Sequence, residues 1–232
     1  MMAAIVVGLL LAKRSQRNSP LTRGQRWGVA LGAYCGAMIG SKLPFVFSDW
    51  EAFLSGVAWF SDGKTILCGL VGGYLGVEVA KWCLDIRVKT GDTFAVPVPA
   101  AIAVGRLACY YAGCCYGSPT NGPWGVVFPT VDQTARHPTQ LYEFAFNATC
   151  AILLAALRRD GIFRGQLIKL YVILYAVYRF ATEFIRPEER IWWGFTGYQL
   201  ASVVIVGLFS FLWWHDAKAA RRTNFACGAG VV

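Results

Sequence analysis

Charge is scarce in this chain: 15% of its 232 residues are Asp, Glu, Lys or Arg, against 56% hydrophobic. With a mean hydropathy of +0.46 it is too apolar for an ordinary soluble domain. It also lacks internal repeats and low-complexity linkers, which leaves a single membrane domain, read here over residues 1–216, and a cytoplasmic tail without order over 217–232. The N-terminus has neither the basic opening nor the small-residue cleavage site of a removable signal peptide. Acidic residues are the scarcer sign, 13 against 22 basic, for a net charge of +9. That excess raises the question of a nucleic-acid partner, which the placement of the basic residues answers.

What is present is a series of apolar runs. Six approach the ~20 residues needed to cross a ~30 Å hydrocarbon core: about 24–44, 66–85, 92–112, 138–157, 165–185 and 198–215. A further run at 3–12 is about half that length, as if the chain began part-way into its first helix. The expected fold is therefore an all-α integral membrane protein of about seven spans, the first one short.

The basic residues alternate from loop to loop. Lys13, Arg14, Arg17, Arg23 and Arg26 follow the first run, Lys81, Arg87 and Lys89 the third, Arg158, Arg159, Arg164 and Lys169 the fifth, and Lys218, Arg221 and Arg222 the seventh. The intervening loops hold only Lys42, Lys64, Arg136, Arg186 and Arg190. By the positive-inside rule the C-terminus is cytoplasmic and the N-terminus outside, so the basic excess reports topology and argues against nucleic acid. Trp50, Trp59, Trp124, Trp192 and Trp193 fall near the outer boundary and Trp213 and Trp214 near the inner one, as an interfacial aromatic belt requires.

Charges inside such a membrane cost roughly 2.5–3.5 kcal/mol each on insertion scales, so each is a functional candidate. Arg106 lies about 9 Å inside the outer end of its span at 1.5 Å per residue. In "YRFATEFIRP", Arg179, Glu183 and Arg186 sit at offsets that form a stripe on one helical face, and Pro187 ends the helix. A bland reading is an Arg179–Glu183 pair that neutralises itself, which leaves Arg106 and Arg186 unpaired. "RHPTQLYE" brings Arg136, His137, Gln140 and Glu143 to the same outer boundary, with Pro138 in the first helical turn. His137 alone reads equally well as an interfacial or capping residue.

Four arginines, two carboxylates and an imidazole thus converge on the outer leaflet, where arginine forks match the oxygens of a phospholipid phosphate. Gly69, Gly72, Gly73 and Gly76 allow close helix approach. "GRLACYYAGCCYG" adds Cys109, Cys114 and Cys115, whose C-x4-C-C spacing matches no common zinc pattern; neither metal nor cofactor is expected. Three readings of these cysteines stay open: apolar packing, a structural disulfide from Cys109 or Cys114 to a third partner, or a thiolate activated by Arg106 or His137.

"GRLACYYAGCCYG", "RHPTQLYE", "RFATEFIR" and the glycine-rich third span together resemble, in order and spacing, the motifs of the bacterial prolipoprotein diacylglyceryl transferases. The resemblance covers nearly the whole chain. It implies an inner-membrane enzyme, its site toward the outer leaflet, that moves a diacylglyceryl group from phosphatidylglycerol to the cysteine thiol of a lipoprotein precursor and releases glycerol phosphate. It assigns Arg106 to the family's essential arginine, Gly117 to the closing glycine of the signature, and Arg179, Glu183 and Arg186 to the sixth-helix motif. The expected catalytic residues are Arg106, Arg179, Glu183, His137 and Cys114. The expected substrate contacts are Cys109, Cys115, Gly117, Arg136, Gln140, Tyr142, Glu143 and Arg186.

The chain departs from that family at the acceptor side. Cys109 and Cys114 stand where the signature carries asparagine and glutamate, and Val71 stands where a histidine precedes the paired glycines Gly72 and Gly73. Two other functions also fit these residues: a lipid enzyme with Cys114 or Cys115 as covalent nucleophile and a different acceptor, and a non-catalytic or thiol-redox membrane protein.

Overall fold

The computed structural model describes residues 2–17, 20–48, 54, 65–188 and 190–228. Its helices are α1 (Met2–Ser15), α2 (Arg23–Ser48), α3 (Ile66–Cys83), α4 (Pro97–Tyr111), α5 (Thr139–Arg159), α6 (Leu167–Thr182) and α7 (Gly197–Gly228). Two small antiparallel ribbons complete the fold: β1 (Val126–Val127) with β2 (Ala135–Arg136), and β3 (Arg190–Trp192) with β4 (Phe195–Thr196).

Four segments are long and apolar enough to cross a membrane: Ile66–Cys83, Gly91–Tyr111, Thr139–Arg159 and Gly197–Ala219. The first apolar run forms a helix of 14 residues, and α6 has 16. α2 is longer and carries Arg23 and Arg26 in its first turn and Lys42 and an internal Pro44 toward its end. α7 continues to Gly228, through the stretch read as an unordered tail. Trp50, Trp59 and Lys64, assigned to an outer loop, lie outside the described residues.

The sequence sets several helix starts directly. "TRGQ" and "TGYQ" are capping boxes: Gln25 N–H donates to Thr22 Oγ1 while Thr22 N–H donates to Gln25 Oε1, and Thr196 with Gln199 repeats the exchange. Asp92 accepts from the backbone N–H groups of Gly165 and Leu167, which satisfies orphan donors at the start of α6.

α2 and α3 pack backbone to backbone. A Cβ on Gly36 would lie 2.2 Å from the Gly72 carbonyl oxygen, and one on Gly72 would lie 2.3 Å from that of Gly36. The expectation for the third-span glycines is met, with Gly32, Gly36 and Gly40 of α2 as the facing set. Behind this pair, Leu67, Leu154, Tyr171, Val172, Tyr175 and Phe209 form the buried centre among α3, α5, α6 and α7. Leu9, Trp27, Leu75, Trp82, Ile152 and Val204 face outward, an arrangement suited to hydrocarbon rather than water.

The two ends of the bundle differ in chemistry. At one end Arg158 donates to Ser15, and Lys89 and Lys169 both pair with Asp216 at 2.8 Å. At the other end the start of α3, the ends of α4 and α6 and the starts of α5 and α7 meet, and the polar residues singled out above gather there.

Candidate active site

The centre of the polar end is a carboxylate with no solvent exposure, Glu143 on the first turns of α5. A buried charge survives only when paired and fully hydrogen-bonded. Arg106 of α4 reaches its Oε1 at 2.8 Å, Arg186 reaches its Oε2 at 3.1 Å, and the Tyr175 hydroxyl of α6 donates to Oε1 at 2.7 Å. One turn further along α5, Asn147 donates to the Glu143 carbonyl at 2.8 Å and accepts from the Tyr171 hydroxyl at 2.7 Å. The rings of Tyr171 and Tyr175 thereby fix α6 against α5.

A second buried carboxylate, Glu183, pairs with Arg179 at 3.0 Å and accepts from Thr196 Oγ1 at 3.1 Å. Thr196 is the cap of α7, so one side chain starts that helix and orients Glu183. The Arg179 guanidinium lies over the Tyr198 ring, 4.9 Å from its centre.

Two sequence expectations change here. Arg106 and Arg186 are not left unpaired beside a self-contained Arg179–Glu183 couple; both hold Glu143, from different elements. Nor do Arg179, Glu183 and Arg186 form one α-helical stripe. α6 ends at Thr182, Glu183–Ile185 is a single 3₁₀ turn, and Arg186 is extended, as a residue preceding Pro187 must be. That break swings Arg186 across to Glu143.

Arg106, Arg179 and Arg186 line one cleft of about 560 Å³ together with Cys114, Cys115, Tyr116, Tyr198 and Thr65. The Nε atoms of Arg106 and Arg186 and the Thr65 hydroxyl are buried there without a hydrogen-bond partner among the described residues. These are donors suited to anionic oxygens. A second, almost wholly apolar groove of about 460 Å³ runs between α2, α3 and α4 past Ala37, Met38, Leu70, Val98 and Ile102. Thr65 and Ile66 line both cavities, so the polar cleft and the apolar groove meet at the start of α3.

The cysteine segment forms one wall of the cleft. Gln140 donates to the Cys114 carbonyl at 2.6 Å and Thr139 to the Cys115 carbonyl at 2.7 Å, so the start of α5 holds it in place. Gly117 closes it: a Cβ there would sit 2.7 Å from the Ile185 carbonyl oxygen and 2.8 Å from His137 Cβ, a gap only glycine fits. Cys115 adopts a left-handed φ of 62°. The sulfurs of Cys109, Cys114 and Cys115 all lie within 4.8 Å of one another.

These thiols are free, and Cys114 and Cys115 are exposed at the cleft, which argues against apolar packing for those two, while Cys109 is half-buried. Their nearest sulfurs are each other's, not those of a distant bridging partner. The Cys109 thiol, by hydrogen bonding, holds the Cys115 thiol far below the usual thiol value, to about 5; burial opposes this and the Arg106 charge adds to it. Burial pushes the Cys114 thiol up.

The remaining expected residues stand on the flank. His137 Nδ1 lies 3.3 Å from the Tyr142 hydroxyl, with its ring beside Trp124, and it does not line the cleft. Arg136 pairs with Asp132 and covers the Tyr116 ring, and its hydrogen bond holds the Asp132 carboxyl below the usual carboxylate range. Tyr175, Asn147, Tyr171, Thr196 and Thr65 were not singled out from the sequence. Asn147 sits four residues after Glu143 and Tyr175 four before Arg179, the helical spacing that signals them.

A family model described as prolipoprotein diacylglyceryl transferase matches residues 1–215. The chain belongs to that family. It is 32% identical over 193 residues to the phosphatidylglycerol–prolipoprotein diacylglyceryl transferase of Clostridium tetani, covering 78% of this chain and 76% of the relative. The similarly named protein of Legionella pneumophila strain Corby is 30% identical over 206 residues, 80% of this chain and 75% of that one. That of Clostridioides difficile is 28% identical over 194 residues, with 82% and 77% covered. Members of this family are transferases, and that membership does not favour the covalent-cysteine and thiol-redox alternatives.

Proposed function

We propose that this protein transfers the diacylglyceryl group of phosphatidylglycerol to the thiol of a lipoprotein-precursor cysteine and releases glycerol phosphate. The observation that carries this is the junction of the two cavities: a three-arginine cleft and an apolar groove share Thr65 and Ile66, which matches a molecule with an anionic head and hydrocarbon tails. The phosphate lies among Arg106, Arg179 and Arg186, and the acyl chains lie along the groove between α2 and α4.

In the reaction the acceptor sulfur attacks the glycerol carbon that carries the phosphate ester. The thiol gives up its proton to solvent, the S–C bond forms as the C–O bond breaks, and the electron pair leaves on the phosphate oxygen. Charge therefore grows on the phosphate at the moment of cleavage, where preorganised guanidinium donors contribute most. Glu143 and Glu183 do not touch the lipid in this scheme. They hold the arginine forks so that little reorganisation is needed.

The proposed topology has about seven spans in a bacterial inner membrane, with N-terminus outside, C-terminus cytoplasmic and the cleft toward the outer leaflet. The basic end around Lys89, Arg158 and Lys169 then faces the cytoplasm. The test is intact-mass spectrometry of a lipobox peptide incubated with the purified protein and phosphatidylglycerol. A diacylglyceryl mass increase that requires phosphatidylglycerol supports the proposal, and an unmodified peptide with folded wild-type protein removes it.

A further inference from the structure

We infer that Cys109, Cys114 and Cys115 form a three-thiolate site for a thiophilic closed-shell cation, zinc foremost, whose open fourth position takes the acceptor thiol. This rests on the proposed transferase reaction for its use and on the fold alone for its existence. The sequence spacing gives no hint of it, because adjacent residues normally point their side chains apart. The left-handed φ of Cys115 changes that and gathers both neighbours with Cys109, all three sulfurs within 4.8 Å.

Zinc–sulfur bonds of about 2.3 Å in tetrahedral geometry place ligand sulfurs roughly 3.8 Å apart, so modest side-chain rotation closes the present cluster around an ion. The donor set is soft, which selects zinc or copper(I) over magnesium and calcium. Three protein ligands with an open side is the pattern of a working zinc site rather than a structural one. The open side here is the cleft, since Cys114 and Cys115 both line it with Arg106 and Arg186. Three thiolates and a divalent cation sum to one negative charge, less than the three that the bare thiolates would carry beside the lipid phosphate.

The site also offers a way to activate the acceptor thiol that needs no histidine. Among the described residues no histidine lines the cleft, where Glu188 is the one carboxylate, and Val71 stands on α3 where the resembled family places a histidine. On ligation the acceptor thiol loses its proton to water, its S–H bond replaced by a sulfur–metal bond. The bound thiolate then forms the S–C bond as the C–O bond to phosphate breaks, and the resulting thioether, a weak ligand, departs.

The experiment uses the reduced full-length protein in detergent, stripped with a chelator and titrated with zinc, with cobalt(II) and, under anaerobic conditions, with copper(I). One zinc per chain by elemental analysis, with a near-ultraviolet thiolate-to-cobalt absorption, is the expected result. Each of Cys109→Ser, Cys114→Ser and Cys115→Ser lowers affinity at least tenfold. Tighter copper(I) than zinc binding with no cobalt band overturns zinc as the resident ion. Binding that survives all three replacements, or no stoichiometric binding, overturns the site.

Two readouts need no variant. Zinc protects Cys114 and Cys115 from alkylation in the wild-type protein, and lipobox peptide shifts the visible cobalt bands. Unshifted bands overturn the acceptor role, and so does undiminished peptide lipidation by metal-free protein, which leaves the transferase reading intact. A normal cobalt site in a protein that lipidates no peptide counts against the transferase reading and leaves the site standing.

Discussion

Glu143 turns two arginines that would repel each other into a positioned pair, and this separates the roles of charge and shape at Arg106. Replacing Arg106 with Ala removes a buried partner of Glu143, a change worth about 3–5 kcal/mol in such pairs, so lost activity in that variant mixes folding with chemistry. Arg106→Lys keeps a positive charge toward Glu143 but has no planar fork to hold the carboxylate and the lipid phosphate together. Its expected outcome is a melting temperature near wild type with turnover reduced about 10²–10³-fold, the loss typical of one transition-state donor. Lipidation kinetics beside thermal unfolding in detergent check it, and near-wild-type turnover of the Lys variant sinks the bidentate role. The Arg179–Glu183 pair was legible because it lies four residues apart on one chain segment. The Arg106–Glu143 and Arg186–Glu143 pairs were not, since nothing in local spacing tells which helices will meet.

Cys115 offers a second residue-scale test, in the reduced, metal-free protein. Its thiol titrates at about 5 in the folded chain against an ordinary value of ~8.5. A depressed value means that its contribution to stability is complete above the unfolded value and is lost as pH falls through about 5. Alkylation of Cys115, followed by peptide mass spectrometry, is therefore expected to stay fast at pH 6–7 and to fall off only near pH 5. A rate that climbs with a midpoint near ~8.5 is the behaviour of an unperturbed thiol and contradicts the geometry around Cys109. No sequence pattern announced this, because the hydrogen bond depends on the backbone turn at Cys115.

At the scale of elements, the close α2–α3 pair shapes the apolar groove. The glycines of α3 could be read as packing positions, and the helix starts at Thr22 and Thr196 follow from their capping boxes. The end of α6 was misread by one turn, because the rotational offset of Arg186 suited a continuing helix while Pro187 had already forced its neighbour into extended backbone. For the α2–α3 contact, Gly36→Val brings a branched side chain against the Gly72 carbonyl, where even a Cβ is 2.2 Å away. Backbone has no rotamer with which to yield, so the helices must separate. A loss at or above the upper end of the ~1–3 kcal/mol typical of overpacking is expected. Thermal unfolding in detergent measures it, and an unchanged midpoint refutes so close a packing of the helices.

For the whole molecule, composition and the alternation of basic loops already marked a membrane protein, and the fold adds that its two ends are chemically distinct. The arginine cleft and the cysteines occupy one end, and Lys89, Arg158 and Lys169 the other. Which end faces the cytoplasm decides the biology, because a lipoprotein precursor presents its cysteine only on the outer side in the proposed reaction. The chain carries its own reporters: Cys114 and Cys115 are exposed at the cleft end, and Cys83 is exposed at the end of α3 on the opposite side. A membrane-impermeant maleimide applied to chelator-treated spheroplasts is expected to label Cys114 and Cys115 at once and Cys83 only after permeabilisation. Single-cysteine variants read by mass shift assign each site. Labelling in the opposite order inverts the topology, places the three arginines at the cytoplasmic face, and requires an acceptor other than an exported precursor.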